Sequence, residues 1–179
     1  YSTGNVTNID TLAPKDFTPT ATSTTNSITV TAKTTDTDAT STSASSGIAG
    51  YRFKLDSGSW TEYQASGTYK WDNLAQTTNH TITVEAKDNA GNTKQGTVTK
   101  GTGTVAGLTT ANTTFTASPT GWTNGKVTMT ASTNVSGYTI QTTKTPTVES
   151  SWKNTASQEF TENGKIYARL WDGTNAGGY

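Results

Sequence analysis

The chain has no cysteine, one histidine, one methionine and four prolines among its 179 residues. Without cysteine there are no disulfides and no thiolate metal sites, so the framework of a small disulfide-stapled domain is excluded. With His80 alone there is no Ser-His nucleophilic site of the usual kind, and the missing cysteine removes Cys-His. Net charge is also lacking: 13 basic residues balance 13 acidic ones. That leaves no electrostatic case for nucleic acid or for an anionic membrane surface. No apolar run is long enough to span a bilayer, and no signal peptide is legible. The first residue is Tyr1 rather than Met, which reads as an excised fragment of a longer product. Helix-period apolar patterns are absent over any useful length.

What is present is threonine, the commonest residue, whose β-branched side chain suits a pleated sheet with one wet face. Aromatic residues reach 9% and fall at strand-like positions, unlike a charged disordered chain. The clearest stretch is 81–92. Ile82, Val84 and Ala86 alternate with Thr81, Thr83, Glu85 and Lys87, which predicts a half-buried strand with the second set outward. Asp88-Asn-Ala-Gly-Asn92 is a dense turn signal, since Asn, Asp and Gly tolerate left-handed backbone. A second strand follows from Thr93 to Lys100. Similar runs at 27–33, 51–55 and 68–72 bring the count to about seven short strands, the pattern of a β-sandwich. The expected fold class is all-β.

The same grammar returns later in the chain. Lys126–Ala131 answers Ser27–Ala32, Ser136–Gln141 answers Ala49–Lys54, and Ser151-Trp152 answers Ser59-Trp60. Gln158–Phe160 takes the place of Tyr69–Trp71, and Lys165–Asp172 that of Thr81–Asp88. One shared order across these segments indicates an internal duplication. The expected division is a first sandwich module over 11–103, a flexible Gly-rich linker over 104–107, and a second, shorter module over 108–179. The first module runs on past its Asp88–Asn92 turn into a last strand. The second stops at Gly177-Gly-Tyr179, so it lacks its own last strand. Residues 1–10 read as that missing strand, belonging to a preceding module or to the second one, with Val6 and Ile9 as its apolar anchors. Filling the open edge in trans would link molecules head to tail.

Asp10-Thr-Leu-Ala-Pro14, Ser46-Gly-Ile-Ala-Gly-Tyr51, Ser59-Trp60 and Asp88-Asn-Ala-Gly-Asn92 resemble the bacterial immunoglobulin-like and fibronectin type III-like tandem repeats of cell-surface and phage tail proteins. Trp122-Thr-Asn-Gly-Lys-Val127 and Glu162-Asn-Gly-Lys-Ile-Tyr-Ala-Arg-Leu170 look like a sister class of the same repeats. The resemblance implies two tandem sandwich modules in an extracellular stalk, spacer or adhesin on a cell or virion surface. It implies neighbouring repeats of the same protein as partners, with a surface glycan or protein as a further ligand. It identifies fold and context, and says little of activity.

Candidate chemistry is sparse. Asp36 and Asp38, in a Thr/Ser-rich loop, and Asp88, at the turn, are candidates for Ca²⁺, because hard cations want several oxygens. The competing reading is turn chemistry, in which Asp accepts backbone hydrogen bonds. No other cofactor is expected, and no cleft with paired carboxylates is legible, so the expectation is a non-catalytic module. His80, at the mouth of a strand, is expected to pack half-buried. Trp122, between Gly121 and Thr123 in a loop, is the tryptophan most open to a ligand; the others suit the two cores. The alternative function is a carbohydrate-binding accessory module of a secreted enzyme or phage tail protein.

Overall fold

The structure is a computed structural model that describes residues 4, 6–37 and 44–179. The chain divides into two units, one of Tyr1–Asp72 with Thr78–Thr102, the other of Asn73–Thr77 with Gly103–Tyr179. The described residues form eleven strands and one turn of 3-10 helix. The all-β expectation holds.

In the first unit, β1 (Thr20–Ser23), β2 (Ile28–Thr31) and β4 (Thr68–Trp71) make one antiparallel sheet in the order β1-β2-β4. The other sheet has the order β3-β5-β6, from β3 (Ile48–Leu55), β5 (Asn79–Asp88) and β6 (Thr93–Gly101). Gln64, in the chain between β3 and β4, bridges back to Tyr51. First, second and fourth strands in one sheet and third, fifth and sixth in the other is an immunoglobulin/fibronectin III-like sandwich. Its core is the inward set predicted by alternation. Ile28 and Val30 on β2 meet Phe53 on β3 and Ile82, Val84 and Ala86 on β5, and all six are fully buried. Phe53 stacks on Tyr69 of the opposite sheet at 5.4 Å between ring centroids, and Trp71 meets Tyr69 edge-on at 4.8 Å. Such pairs add about 0.5–1.5 kcal/mol beyond the area they bury.

Gly67 lets the first sheet close beside β2. Its carbonyl accepts the Ala32 N–H at 2.8 Å, and a Cβ there would lie 2.1 Å from the Ala32 oxygen. Gly67→Ala is therefore expected to cost about 1–3 kcal/mol through forced backbone movement, read as a lowered melting transition of this unit. Gly91, at φ +101 in the β5–β6 turn, holds the left-handed conformation that the turn signal demanded.

The second unit repeats the plan. β7 (Thr113–Ser118), β8 (Val127–Thr133) and β10 (Ser157–Phe160) form a sheet in the order β10-β8-β7. β9 (Thr139–Thr143) pairs with β11 (Tyr167–Trp171). The duplication is exact in register for one sheet: Ile28 opposes Trp71 as Val127 opposes Phe160, and Val30 opposes Tyr69 as Met129 opposes Gln158. In the other sheet the match shifts by two residues. Tyr51 opposes Ala86, and the residue opposing the equivalent Leu170 is Ile140, not Tyr138. A shift of two keeps every side chain on its own face, which is why alternation could not reveal it. After β11 the chain turns back through a bridge of Ala176 to Trp171, with the Gly177 N–H donating to the Leu170 carbonyl at 2.9 Å.

Two expected boundaries differ. The segment 104–107, read as a flexible linker, is packed into the second unit: Val105 is 2% exposed, and its N–H donates to Gln76 Oε1 at 2.8 Å. One apolar anchor among glycines was enough to hold it. The second difference concerns residues 1–10. Gly4 and residues 6–10 carry no strand, and the Ile9 carbonyl accepts the Ala44 N–H at 2.7 Å. That places Ile9 and Asp10 with the first unit, where loop hydrogen bonds satisfy the backbone in place of a ladder.

Candidate functional site

Three carboxylates from distant parts of the sequence converge in the first unit. Asp10 comes from the entry segment, Asp36 from the chain after β2, and Asp88 from the end of β5. One oxygen of each lies within 4.8 Å of the others. Asp36 and Asp88 are buried, at 5% and 1% exposure. Asp36 Oδ2 accepts the backbone N–H groups of Ser46 and Gly47 at 2.9 and 2.7 Å. Asp88 accepts the Asn92 N–H at 2.8 Å and the Asn92 side-chain amide at 2.9 Å. Asp10 accepts the Leu12 N–H at 3.1 Å and the Ser46 N–H at 2.9 Å. Asn92 Nδ2 also donates to the Leu12 carbonyl at 3.1 Å, tying the entry segment to the turn. These are the Asx-type contacts expected of turns, but they bring the charges together as well.

Among the described residues, the partners of Asp36 and Asp88 are all neutral. Two unit charges 4.8 Å apart repel by roughly 3.5 kcal/mol at an effective dielectric near 20. A bound divalent cation would turn that repulsion into attraction. The donor set fits a hard cation, being all oxygen and drawn from three chain segments. Asp36 and Asp88 thus come together as candidate ligands. Asp38 lies outside the described residues. Asp10 joins Asp36 and Asp88 as a third candidate, which its distance in sequence hides.

A second cluster covers the outer face of the β3-β5-β6 sheet. Glu85 belongs to the set read as outward, yet it is 4% exposed. The chain between β3 and β4 folds over it. Tyr63 Oη donates to Glu85 Oε1 at 2.5 Å, Arg52 Nε donates to the same oxygen at 2.8 Å, and Gln95 donates to Oε2 at 2.6 Å. The Arg52 guanidinium lies 4.7 Å from the Trp60 ring centroid and 4.9 Å from that of Tyr63. Burial alone would raise the Glu85 carboxyl. The hydrogen bonds from Tyr63 and Gln95, with the Arg52 charge, outweigh it and hold the group below its ordinary value. Burial and the bond to Glu85 push the Tyr63 phenol up to about 12.

The second unit carries the same device with the charges exchanged. Arg169 stands on β11, where Glu85 stands on β5. Its Nε donates to Gln141 Oε1 at 2.8 Å, and its Nη1 to Glu149 Oε2 at 2.8 Å. It lies 4.4 Å from the centroid of Trp152, the residue matched to Trp60 by sequence. The bond from Arg169 holds the Glu149 carboxyl below its ordinary value. In both units a stacked arginine, an acid and a loop tryptophan clamp the loop onto the sheet. The role is structural.

His80 is half-buried as expected, with Nδ1 2.7 Å from Asp56 Oδ2, and its Nε2 has no partner. The bond to His80 holds the Asp56 carboxyl below its ordinary value. Val6 and Ile9 are exposed at 74% and 56%. Trp122 is fully exposed, at 107% of its reference area. Among the described residues no helix is long and apolar enough to cross a membrane.

No protein-family model matches the chain, and no curated protein matches it. Solved structures do. A two-domain fibronectin type III segment of chicken tenascin is 13% identical, with 92% of this chain and 94% of that one covered and a TM-score of 0.38. A carbohydrate-binding module from the β-sandwich superfamily is 16% identical, over 88% of this chain and 83% of that one, with a TM-score of 0.41. The chitinase ChiA74 from Bacillus thuringiensis is 17% identical over 74% of this chain, which spans only 19% of that protein, with a TM-score of 0.37. The fold assignment rests on strand order and pairing: this chain is an all-β protein of two immunoglobulin/fibronectin III-like sandwich units.

Proposed function

We propose that the chain is a non-catalytic stalk or adhesive segment of a large extracellular surface protein, built from sandwich modules in series and stiffened by Ca²⁺. The observation that carries this reading is one strand plan used twice in one chain, with a carboxylate cluster where the entry segment meets the first unit. A spacer needs folded modules whose ends are held rather than loose, and the bonds of Asp10 and Asn92 supply that hold. A cation shared by Asp10, Asp36 and Asp88 would lock the entry segment to the β5–β6 turn. Calorimetric titration of the full chain with Ca²⁺ tests it; saturable binding lost in Asp36→Asn supports the reading, and no heat above dilution refutes its Ca²⁺ part.

The finer proposal is head-to-tail assembly. Among the described residues, β11 pairs with β9 on one side and, on the other, with the short return at Ala176 alone. Val6 and Ile9 are apolar and exposed, and the described residues around them form no strand. Added beside β11 of a second copy, that segment would gain a ladder of backbone bonds and shelter both side chains. Deletion of residues 1–9 should then turn concentration-dependent oligomers into monomers by light scattering. A full-length chain that stays monomeric at high concentration would reject assembly in trans.

A further inference from the structure

We infer that the loop face around Trp122 in the second unit is a binding site for neutral pyranose oligosaccharides. Every other tryptophan has its surface at least partly covered: Trp60 lies under Arg52, Trp71 against Tyr69, Trp152 under Arg169, and Trp171 sits half-buried on β11. Trp122 alone is fully exposed, and among the described residues it enters no ring pair or cation–π contact. Water around an uncovered indole is a standing cost, and an apolar face of matching size removes it.

The adjoining surface supplies the polar half of a sugar site. A groove of about 200 Å³ begins at Thr123, next in the chain to Trp122, and is lined also by Met129, Phe160, Thr161, Glu162 and Asn163. Gly125 and Gly164 also line it, and a Cβ at Gly164 would press on the Phe160 ring at 3.0 Å. The volume is small for a whole ligand and suits one ring of a chain that continues into solvent. The chemistry matches a pyranose on both faces. An axial C–H face stacks on indole, while a carboxylate accepts two neighbouring hydroxyls and an amide both donates and accepts.

Charge selects among sugars. Glu162 is the one acidic or basic residue in the lining, and nearby Lys126 is already paired with Glu159 at 2.8 Å. An anionic sugar would set its charge against the Glu162 carboxylate, with the Lys144 ammonium 4.3 Å over the Phe160 ring as the other charge beside the groove, whereas a neutral one meets a hydrogen-bond acceptor. The site is independent of the stalk reading, since it needs neither Ca²⁺ nor assembly.

Calorimetry and tryptophan fluorescence on the full chain, with cello-, chito- and malto-oligosaccharides and with oligogalacturonate, provide the test. At least one neutral series is expected to bind saturably, with a fluorescence change. Trp122→Ala should weaken it roughly tenfold or more, and Trp122→Phe should recover part of the loss, both with unaltered melting transitions. Glu162→Gln should weaken it less. Absence of binding by all three neutral series, equal binding by Trp122→Ala, or tighter binding of oligogalacturonate would each overturn the assignment.

Discussion

Glu85→Ala is expected to destabilise the first unit by about 3 kcal/mol, the low end for breaking a buried ion pair, because Arg52 keeps some contact with water. The substitution removes the acceptor of three side-chain donors at once: Tyr63, Gln95 and Arg52. Tyr63, half-buried, would keep its hydroxyl against the sheet with no acceptor, Gln95 would turn to water, and Arg52 would keep its charge over two rings. For a unit of this size the loss corresponds to a fall of roughly 12–24 °C in the melting transition. The second unit's transition should stay where it is. Tyr63→Phe removes one donor and should cost about 1 kcal/mol. If Glu85→Ala cost no more than Tyr63→Phe, the cluster would not be acting as a unit.

The same cluster sets a pH dependence with a definite sign. The Glu85 carboxyl is held below its ordinary value in the folded state, while the unfolded chain titrates near about 4.3. Its contribution is therefore complete above that pH and lost as pH falls through the folded value. Tyr63 works in reverse. Its phenol is raised to about 12 from about 10 in the unfolded chain. Its contribution is complete below pH 10 and fades across the window from 10 to 12. Glu85→Gln should flatten the acid limb of the first unit's melting profile and leave the second unit's unchanged.

Saturating Ca²⁺ is expected to raise the first unit's transition by roughly 10–20 °C, from about 2.7 kcal/mol at a hundredfold excess over the dissociation constant. The cation would enter among the carboxylates of Asp10, Asp36 and Asp88, so stabilisation and binding draw on the same charges. Asp36→Asn should abolish the Ca²⁺ effect, and it should also relieve part of the repulsion when no cation is present. A chelator should reverse the wild-type shift. Equal melting with Ca²⁺ and with chelator would reject the cluster as a cation site.

Particular residues show where alternation suffices and where it fails. Ile82, Val84 and Ala86 could be placed in the core because a strand has a period of two and one wet side. Glu85 obeyed the same rule and was put outside, yet it is buried. No period describes a loop that folds over a sheet and supplies Tyr63 from 22 residues away. Val105 was set in a linker because its neighbours are mostly glycine, threonine and alanine, and its burial depends on Gln76, far off in sequence. Asp10 looked like part of a junction motif; only folding sets it beside Asp36 and Asp88.

By itself the sequence determined the fold class, the inward apolar set of the first unit and the shared order of segments that match Val127 to Ile28 and Phe160 to Trp71. Each of these is written in local period and order, which survive in one dimension. The tertiary structure decided the carboxylate cluster, the burial of Glu85 and Arg169, the two-residue offset of β9, and the isolation of Trp122. Those depend on which distant segments are brought within a few ångströms, and on the low dielectric that results when they exclude water.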